Sequence, residues 1–157
     1  MRAGRIGLRL FVALLLCGCG GLARAAGTAP SLDAYRGHVT YVDFWASWCG
    51  PCAESFPWLN AMQAKYGARG LHVVGVGVDT QSASADRFLR AHAPQFPIVR
   101  DPDGALAEQY AIEGMPYAVL LDADGHVLSR HSGFRAGQTD EYEHAIQDAL
   151  SPRGTTP

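Results

Sequence analysis

The hydrophobic and polar positions of the chain follow two periodicities that alternate along most of its length. Two runs, Val39–Trp45 and Leu71–Asp79, are apolar on both faces, which predicts β-strands covered on both sides. Between them, Phe56, Leu59 and Met62 recur at helical spacing. The elements predicted in this way are, in chain order, strand Val39–Trp45, a helix from Pro51 to about Tyr66, strand Leu71–Asp79, a helix around Ala85–His92, strand Phe96–Arg100, helix Ala105–Tyr110, strand Tyr117–Leu121, strand His126–Arg130 and a helix from Thr139 to Leu150.

This order of strands and helices predicts an α/β fold. Strands that alternate with helices form parallel βαβ units, and a hairpin turn at Asp122–Gly125 adds an antiparallel edge to a mixed central sheet. Gly75 and Gly77 fall on one face of the second strand, where a helix could approach closely. Two helices are expected to begin at capping side chains, namely Ser82 or Ser84 and Thr139 or Asp140.

Residues 1–25 have the pattern of an export signal. Three arginines precede the apolar run Leu10–Leu16, which is short for a membrane span, and Ala23-Arg24-Ala25 fits a signal-peptidase site. Leu16-Cys17-Gly18-Cys19 also resembles a bacterial lipobox, in which Cys19 would be lipidated and begin the mature chain. Both interpretations place the remainder outside the cytoplasm, with residues 26–30 as a short linker, 31–150 as one domain and 151–157 as a flexible tail.

Composition and charge exclude other classes of protein. With 48% hydrophobic and 18% charged residues, the 157-residue chain is typical of a globular protein rather than a disordered one. The export signal holds four arginines and no acid, which leaves nine basic and fifteen acidic residues and a net charge of −6. A domain with that charge is a poor nucleic-acid binder.

Once the export signal is set aside, the domain retains two cysteines, Cys49 and Cys52. They lie at the start of a predicted helix, where a thiolate is stabilised, and their spacing closes a disulfide with little backbone movement. This favours thiol–disulfide exchange, with Cys49 as the nucleophile, Cys52 as the buried resolving thiol and Gly50-Pro51 setting the turn between them.

An inert structural disulfide and half of a zinc site are the alternatives for this pair. Zinc needs further ligands at suitable spacing, and the sequence contains no second C-x-x-C. His126 and His131 flank a predicted strand and would point to opposite faces. No metal and no other cofactor is therefore expected.

Several motifs resemble the thioredoxin superfamily. They are Trp48-Cys49-Gly50-Pro51-Cys52, the preceding Val42–Ala46, Pro57 five residues after the second cysteine, and Gly114-Met115-Pro116 before a strand–turn–strand. The resemblance covers about Ser31 to Leu150. The segment from Asp79 to Pro116 is longer than in a bare thioredoxin and holds an added helix and strand. With the export signal, this is similar to the TlpA/ResA/DsbE-like branch of membrane-associated thiol–disulfide oxidoreductases.

The resemblance implies a thioredoxin-like fold with an inserted αβ unit before a cis-proline at Pro116. It also implies a substrate-binding surface, formed by Trp48, Gly50, Pro51, Met115 and Pro116. Trp48 would shield the redox pair, and Met115 would offer backbone groups to an extended substrate segment. Asp43 matches the buried acid that would take the proton from Cys52, and the alternative is a purely structural carboxylate.

Three positions depart from the family pattern. Ser55 stands where the TlpA-like branch often has glutamate, and Gly75 stands where thioredoxins often have a lysine near the buried acid. Tyr117 follows Pro116 where threonine is common. These differences bear on the redox potential and the substrate rather than on the reaction class.

The favoured function is a reductase of disulfides in exported proteins, for example in cytochrome c maturation, located in the periplasm or on the extracytoplasmic face of a bacterial membrane. A membrane thiol reductant of the DsbD/CcdA type would re-reduce the pair, and Cys19 could carry a lipid anchor. A disulfide oxidant or isomerase is the first alternative, although Gly50-Pro51 favours reduction. A copper-binding assembly factor that uses the same two thiolates is the second, and it requires a third ligand.

Overall fold

The structure is a computed structural model and describes residues 30–151. The predicted export signal with Cys17 and Cys19, residues 26–29 of the linker and residues 152–157 of the tail lie outside the described residues. The elements follow the predicted order: β1 Val39–Trp45, α1 Gly50–Tyr66, β2 Leu71–Gly77, α2 Ser82–His92, β3 Ile98–Arg100, α3 Ala105–Gln109, β4 Tyr117–Leu121, β5 Val127–Ser132 and α4 Thr139–Leu150.

Five strands form one mixed sheet in the order β3-β2-β1-β4-β5. β1 pairs in parallel with β2 and antiparallel with β4, while β3 extends the parallel side and β5 the antiparallel side. The predicted mixed sheet and its antiparallel edge are thereby confirmed. β1 lies at the centre because its side chains are apolar on both faces, and every residue from Thr40 to Trp45 is buried.

The two faces of β1 pack against different helices, since alternate side chains of a strand point to opposite sides. Tyr41 and Trp45 pack in a cluster with side chains of α1, α2 and α4. Val42 and Phe44 pack on the other face with Leu106 of α3. Asp43 shares the face of Tyr41 and Trp45, so it lies on the side of the sheet covered by α1, the helix that carries the cysteines.

An indole ring, rather than a helix, approaches the glycines of β2. A Cβ at Gly77 would lie 2.8 Å from Cζ2 of Trp45, and a Cβ at Gly75 would lie 2.8 Å from Cδ1 of Ile98 and 3.2 Å from Nε1 of Trp45. The predicted close approach is therefore right in its position and wrong in its partner. A lysine at position 75, as thioredoxins often carry there, would require the side chain of Ile98 to shift.

The predicted helix caps are wrong. α2 follows Gln81 and α4 follows Gln138, and neither helix has a side-chain capping hydrogen bond. Ser82 is itself the first residue of α2. A 3-10 turn over Ala136–Gln138 leads directly into α4, and the Thr139 hydroxyl consequently donates back to the Ala136 carbonyl at 3.0 Å. Local backbone geometry thus replaces the side-chain cap.

Candidate active site

Cys49 and Cys52 lie where the central strand β1 leads into α1. Cys49 is the residue before the helix and has an extended backbone, and Pro51 occupies the first helical turn. Proline suits this position because the N–H that it lacks would have no partner within the helix. The two cysteines are joined by a disulfide with their Cα atoms 5.4 Å apart.

The two sulfurs have different surroundings. Cys52 is fully buried, whereas Cys49 retains 6% exposure at the N-terminus of a 17-residue helix. The free N–H groups and the dipole of that helix end stabilise negative charge on a nearby sulfur. The geometry therefore favours a thiolate at Cys49 and a buried partner thiol at Cys52.

A buried carboxyl lies on the sheet beneath this helix. Asp43 is only 3% exposed, and a long hydrogen bond of 3.5 Å joins its Oδ2 to the hydroxyl of Ser55 in α1. The same hydroxyl donates to the Cys52 carbonyl at 3.0 Å, so Ser55 connects the acid to the redox helix. Burial raises the pKa of Asp43 to about 8, against the opposing effect of the Ser55 hydrogen bond. Such a carboxyl can exchange a proton near physiological pH.

The expected cis-proline is present at the start of β4, where the Met115–Pro116 peptide bond is cis. Phe44 near the end of β1 pairs with Tyr117 at the start of β4, so Pro116 and the loop that carries Cys49 lie at the same end of these two strands. Pro116 is buried and Met115 half-buried. The N–H of Gly133 donates to the Pro116 carbonyl at 2.8 Å, which ties this segment to the end of β5.

The remaining residues predicted to bind substrate are accessible. Trp48 is 72% exposed, and Gly50 and Pro51 are also exposed. Trp48 directly precedes Cys49 and Gly50-Pro51 directly follows it, so the three residues form a solvent-facing surface beside Cys49. Trp45, in contrast, is fully buried in the core.

A carboxylate after β2 fixes the loop before the cysteines, and sequence reasoning missed this role. Asp79 accepts the backbone N–H of Ser47 at 2.8 Å and also accepts its hydroxyl. The Cys49 N–H donates to the Ala46 carbonyl at 3.1 Å, which closes the same turn. The only signal in the sequence was an acid at the end of a predicted strand next to β1.

Metal-ligating side chains do not gather at the cysteine pair. Among residues 30–151, the one group of three or more that could hold an ion is Asp122, Asp124 and His126, in the β4–β5 turn, and it includes neither cysteine. There the Oδ1 of Asp122 accepts the N–H groups of Asp124 and His126, as in an ordinary turn. His92 of α2 is the candidate third ligand for the copper alternative, and its ring packs against the ring of Phe88 with centroids 4.3 Å apart.

None of the helices within residues 30–151 is long and apolar enough to cross a membrane.

Comparison with known proteins gives concordant results. The Redoxin family model matches residues 20–146. The chain is 25% identical over 167 residues to the Thiol-disulfide oxidoreductase ResA of Bacillus thuringiensis subsp. konkukian, over 90% of this chain and 96% of that relative.

Solved structures agree with this relationship. The crystal structure of a Chlorobium tepidum protein assigned as a thiol:disulfide interchange protein DsbE is similar with a TM-score of 0.75 and 45% identity, over 76% of this chain and 85% of that chain. StoA from Bacillus subtilis shares the fold with a TM-score of 0.62 and 24% identity, over 71% and 84% of the two chains. The chain belongs to the Redoxin family and is a thiol–disulfide oxidoreductase of the ResA/DsbE type, within the thioredoxin superfamily.

Proposed function

We propose that this oxidoreductase reduces disulfides of exported proteins outside the cytoplasm, with apocytochrome c as one such substrate. The observation that carries the proposal is the asymmetry of the cysteine pair. Cys49, which is 6% exposed, lies at a helix N-terminus beside exposed Trp48, and Cys52, in the first turn of that helix, is fully buried. Such a pair suits attack by Cys49 and release by Cys52.

The first step joins the enzyme to its substrate. The thiolate of Cys49 attacks one sulfur of a substrate disulfide, the substrate S–S bond breaks, and one substrate sulfur leaves as a thiolate. A mixed disulfide between Cys49 and the other substrate sulfur remains. We assign the surface formed by Trp48, Gly50, Pro51, Met115 and Pro116 to binding the substrate segment during this step.

The second step releases the substrate. The Cys52 thiol gives its proton to the Asp43 carboxylate, and the resulting thiolate attacks Cys49 Sγ. The Cys49–Cys52 disulfide forms and the second substrate thiolate leaves, so two electrons have passed to the substrate. Asp43 suits this role because its pKa of about 8 is close to that of a thiol.

The partners and the location complete the proposal. A membrane dithiol reductant of the DsbD/CcdA type would return two electrons to the Cys49–Cys52 disulfide. The pattern of residues 1–25 supports export, to the periplasm or to the outer face of the membrane, with Cys19 as the candidate lipid anchor. The domain limits 31–150 stay predictions.

Trapping of the mixed disulfide tests this function. A Cys52→Ala variant, produced as the full chain in a bacterial periplasm, should accumulate a mixed disulfide between Cys49 and its substrates, which mass spectrometry would identify. A Cys49→Ser/Cys52→Ala variant is the matched control and should trap nothing. Capture of exported proteins with paired cysteines supports reduction, whereas insulin reduction by a Cys49→Ser variant would refute the exchange mechanism.

A further inference from the structure

His131 lies at the centre of a hydrogen-bond chain that ends at the cis-proline. Its Nε2 lies 2.6 Å from the hydroxyl of Tyr41, and its Nδ1 lies 3.0 Å from the carbonyl oxygen of Gly133. The imidazole also stacks on the ring of Tyr142 in α4, with centroids 4.0 Å apart and planes 4° from parallel. The ring is therefore held by contacts with β1, with α4 and with the turn after β5.

These partners determine which nitrogen carries the proton. A carbonyl oxygen only accepts hydrogen bonds, so Nδ1 must donate to Gly133. In a neutral imidazole Nε2 then accepts, and the Tyr41 hydroxyl is its donor. Burial lowers the pKa of His131 below its usual range, which keeps the ring neutral near pH 7. Tyr41 itself is buried in the core and lies on the same face of β1 as Asp43.

The chain continues from Gly133 to the predicted substrate surface. The Gly133 carbonyl accepts from His131, while its N–H donates to the Pro116 carbonyl at 2.8 Å. Gly133 has a φ of +76°, a conformation that suits glycine. In this conformation the residue bonds to both His131 and Pro116. The next residue, Phe134, turns toward the rings of Trp58 and Tyr142.

We propose that His131 is a positioning residue for substrate binding: through Gly133 it holds the Pro116 segment in the place where a polypeptide substrate docks. This inference rests on the proposed function, because it assigns docking to Met115 and Pro116. His131 touches neither cysteine in this arrangement, and its effect is on binding of a polypeptide rather than on sulfur chemistry.

The test compares a protein substrate with a small one. In His131→Leu the ring volume is largely kept and both hydrogen bonds are lost, so KM for insulin should rise about 3- to 10-fold, the range expected for one or two neutral hydrogen bonds. The kcat for insulin and the rate with hydroxyethyl disulfide should stay within about two-fold of wild type. The equilibrium constant of the Cys49–Cys52 pair with glutathione should also stay within about two-fold, which corresponds to about 9 mV in potential.

Two further variants keep the proposal testable if His131→Leu folds poorly. His131→Gln places an amide oxygen toward Tyr41 and an amide N–H toward Gly133, so it should restore KM to within about two-fold of wild type. Tyr41→Phe removes the donor to Nε2 and should raise KM for insulin. His126→Leu, at an exposed position just before β5, is the matched control and should not change KM.

Several outcomes would overturn the inference. An unchanged KM in both His131→Leu and Tyr41→Phe, or an equal loss of rate with insulin and hydroxyethyl disulfide, would make His131 a structural residue only. Observation by ¹⁵N NMR of a neutral Nε2–H tautomer at pH 7 would contradict the hydrogen-bond chain directly. Failure of the wild-type enzyme to reduce insulin at all would instead refute the proposed function, which is a separate result.

Discussion

Asp43 determines how the second chemical step should depend on pH. Asp43→Asn keeps the size of the side chain and removes the proton acceptor, so the Cys52 thiol would lose its base. We expect the mixed disulfide to resolve on the order of 100-fold more slowly near neutral pH, the usual scale for a lost general base. Stopped-flow measurement of mixed-disulfide decay with a fluorogenic peptide would show this.

Ser55→Ala is the informative companion to that variant. It keeps the carboxyl but removes the hydrogen bond that lowers the pKa of Asp43, so the pH at which resolution becomes fast should move upward. Wild-type resolution rates in Asp43→Asn would mean that the carboxyl is structural, as the alternative interpretation of the sequence holds.

The same residue should make the folded state less stable as pH rises. In the unfolded chain Asp43 titrates near its ordinary value of 3.8, and in the folded protein near 8. Between these values the folded state keeps a proton that the unfolded state has lost, so the free energy of unfolding falls with rising pH from about 4 to about 8 and then levels off. Urea denaturation across this range would measure the slope.

Asp43→Asn isolates this contribution from other titrating groups. Burial lowers the pKa of His131 below its ordinary value of 6.5, so this group makes the free energy of unfolding rise with pH below that value. The effect is the same in both proteins. The free energy of unfolding of wild type, relative to that of Asp43→Asn, should therefore fall steadily as pH rises from about 4 to about 8. Parallel curves for the two proteins would contradict a raised pKa at Asp43.

At the scale of single elements, the packing of β2 against Trp45 gives a sharp prediction. Gly77→Ala places a Cβ 2.8 Å from a buried indole carbon, which cannot move freely in a filled core. We expect a loss of about 1–3 kcal/mol in the free energy of unfolding, measured by urea titration. Gly137→Ala is the control, because a Cβ there meets nothing within 4 Å. Equal stability of the two variants would show that the indole relaxes away.

The elements themselves were predictable where the pattern of side chains determines them. β1 and β4 have the predicted limits, because a strand buried on both faces is recognisable from its apolar run alone. The helix caps were not predictable, since several serines and threonines compete and the backbone before α4 forms a 3-10 turn instead. β5 is largely exposed and lacks an apolar run, so its limits were misplaced by one or two residues.

The candidate site was likewise predictable only in those parts that a local motif marks. The cysteine pair and Pro116 are marked by local motifs, and the structure places both at the same end of the neighbouring strands β1 and β4. The bond from Ser47 to Asp79 and the bond from Tyr41 to His131 join residues far apart in sequence. No local pattern marks such pairs, because each depends on how the strands lie beside one another in the folded sheet.

At the scale of the whole molecule, the direction of electron flow depends on whether the disulfide or the dithiol form of the protein is more stable. A pair that reduces its partners is more stable as the disulfide, whereas a strong oxidant such as DsbA owes its potential to a stabilised reduced form. Within residues 30–151 the causes acting on the pKa of Asp43 are burial and the Ser55 hydrogen bond, and no cation of that part of the chain is among them. Gly75 stands where thioredoxins often have a lysine, so that position supplies no cation.

We therefore expect the oxidised protein to unfold at a higher urea concentration than the reduced protein at pH 7. The disulfide restricts the unfolded chain, whereas the reduced form gains only the stabilisation of the Cys49 thiolate at the N-terminal end of α1. The measurement is a pair of urea titrations with and without a reductant. A Cys49→Ala/Cys52→Ala variant should unfold identically in both. A reduced wild-type protein that resists urea better than the oxidised one would make the enzyme a disulfide donor and overturn the proposed direction.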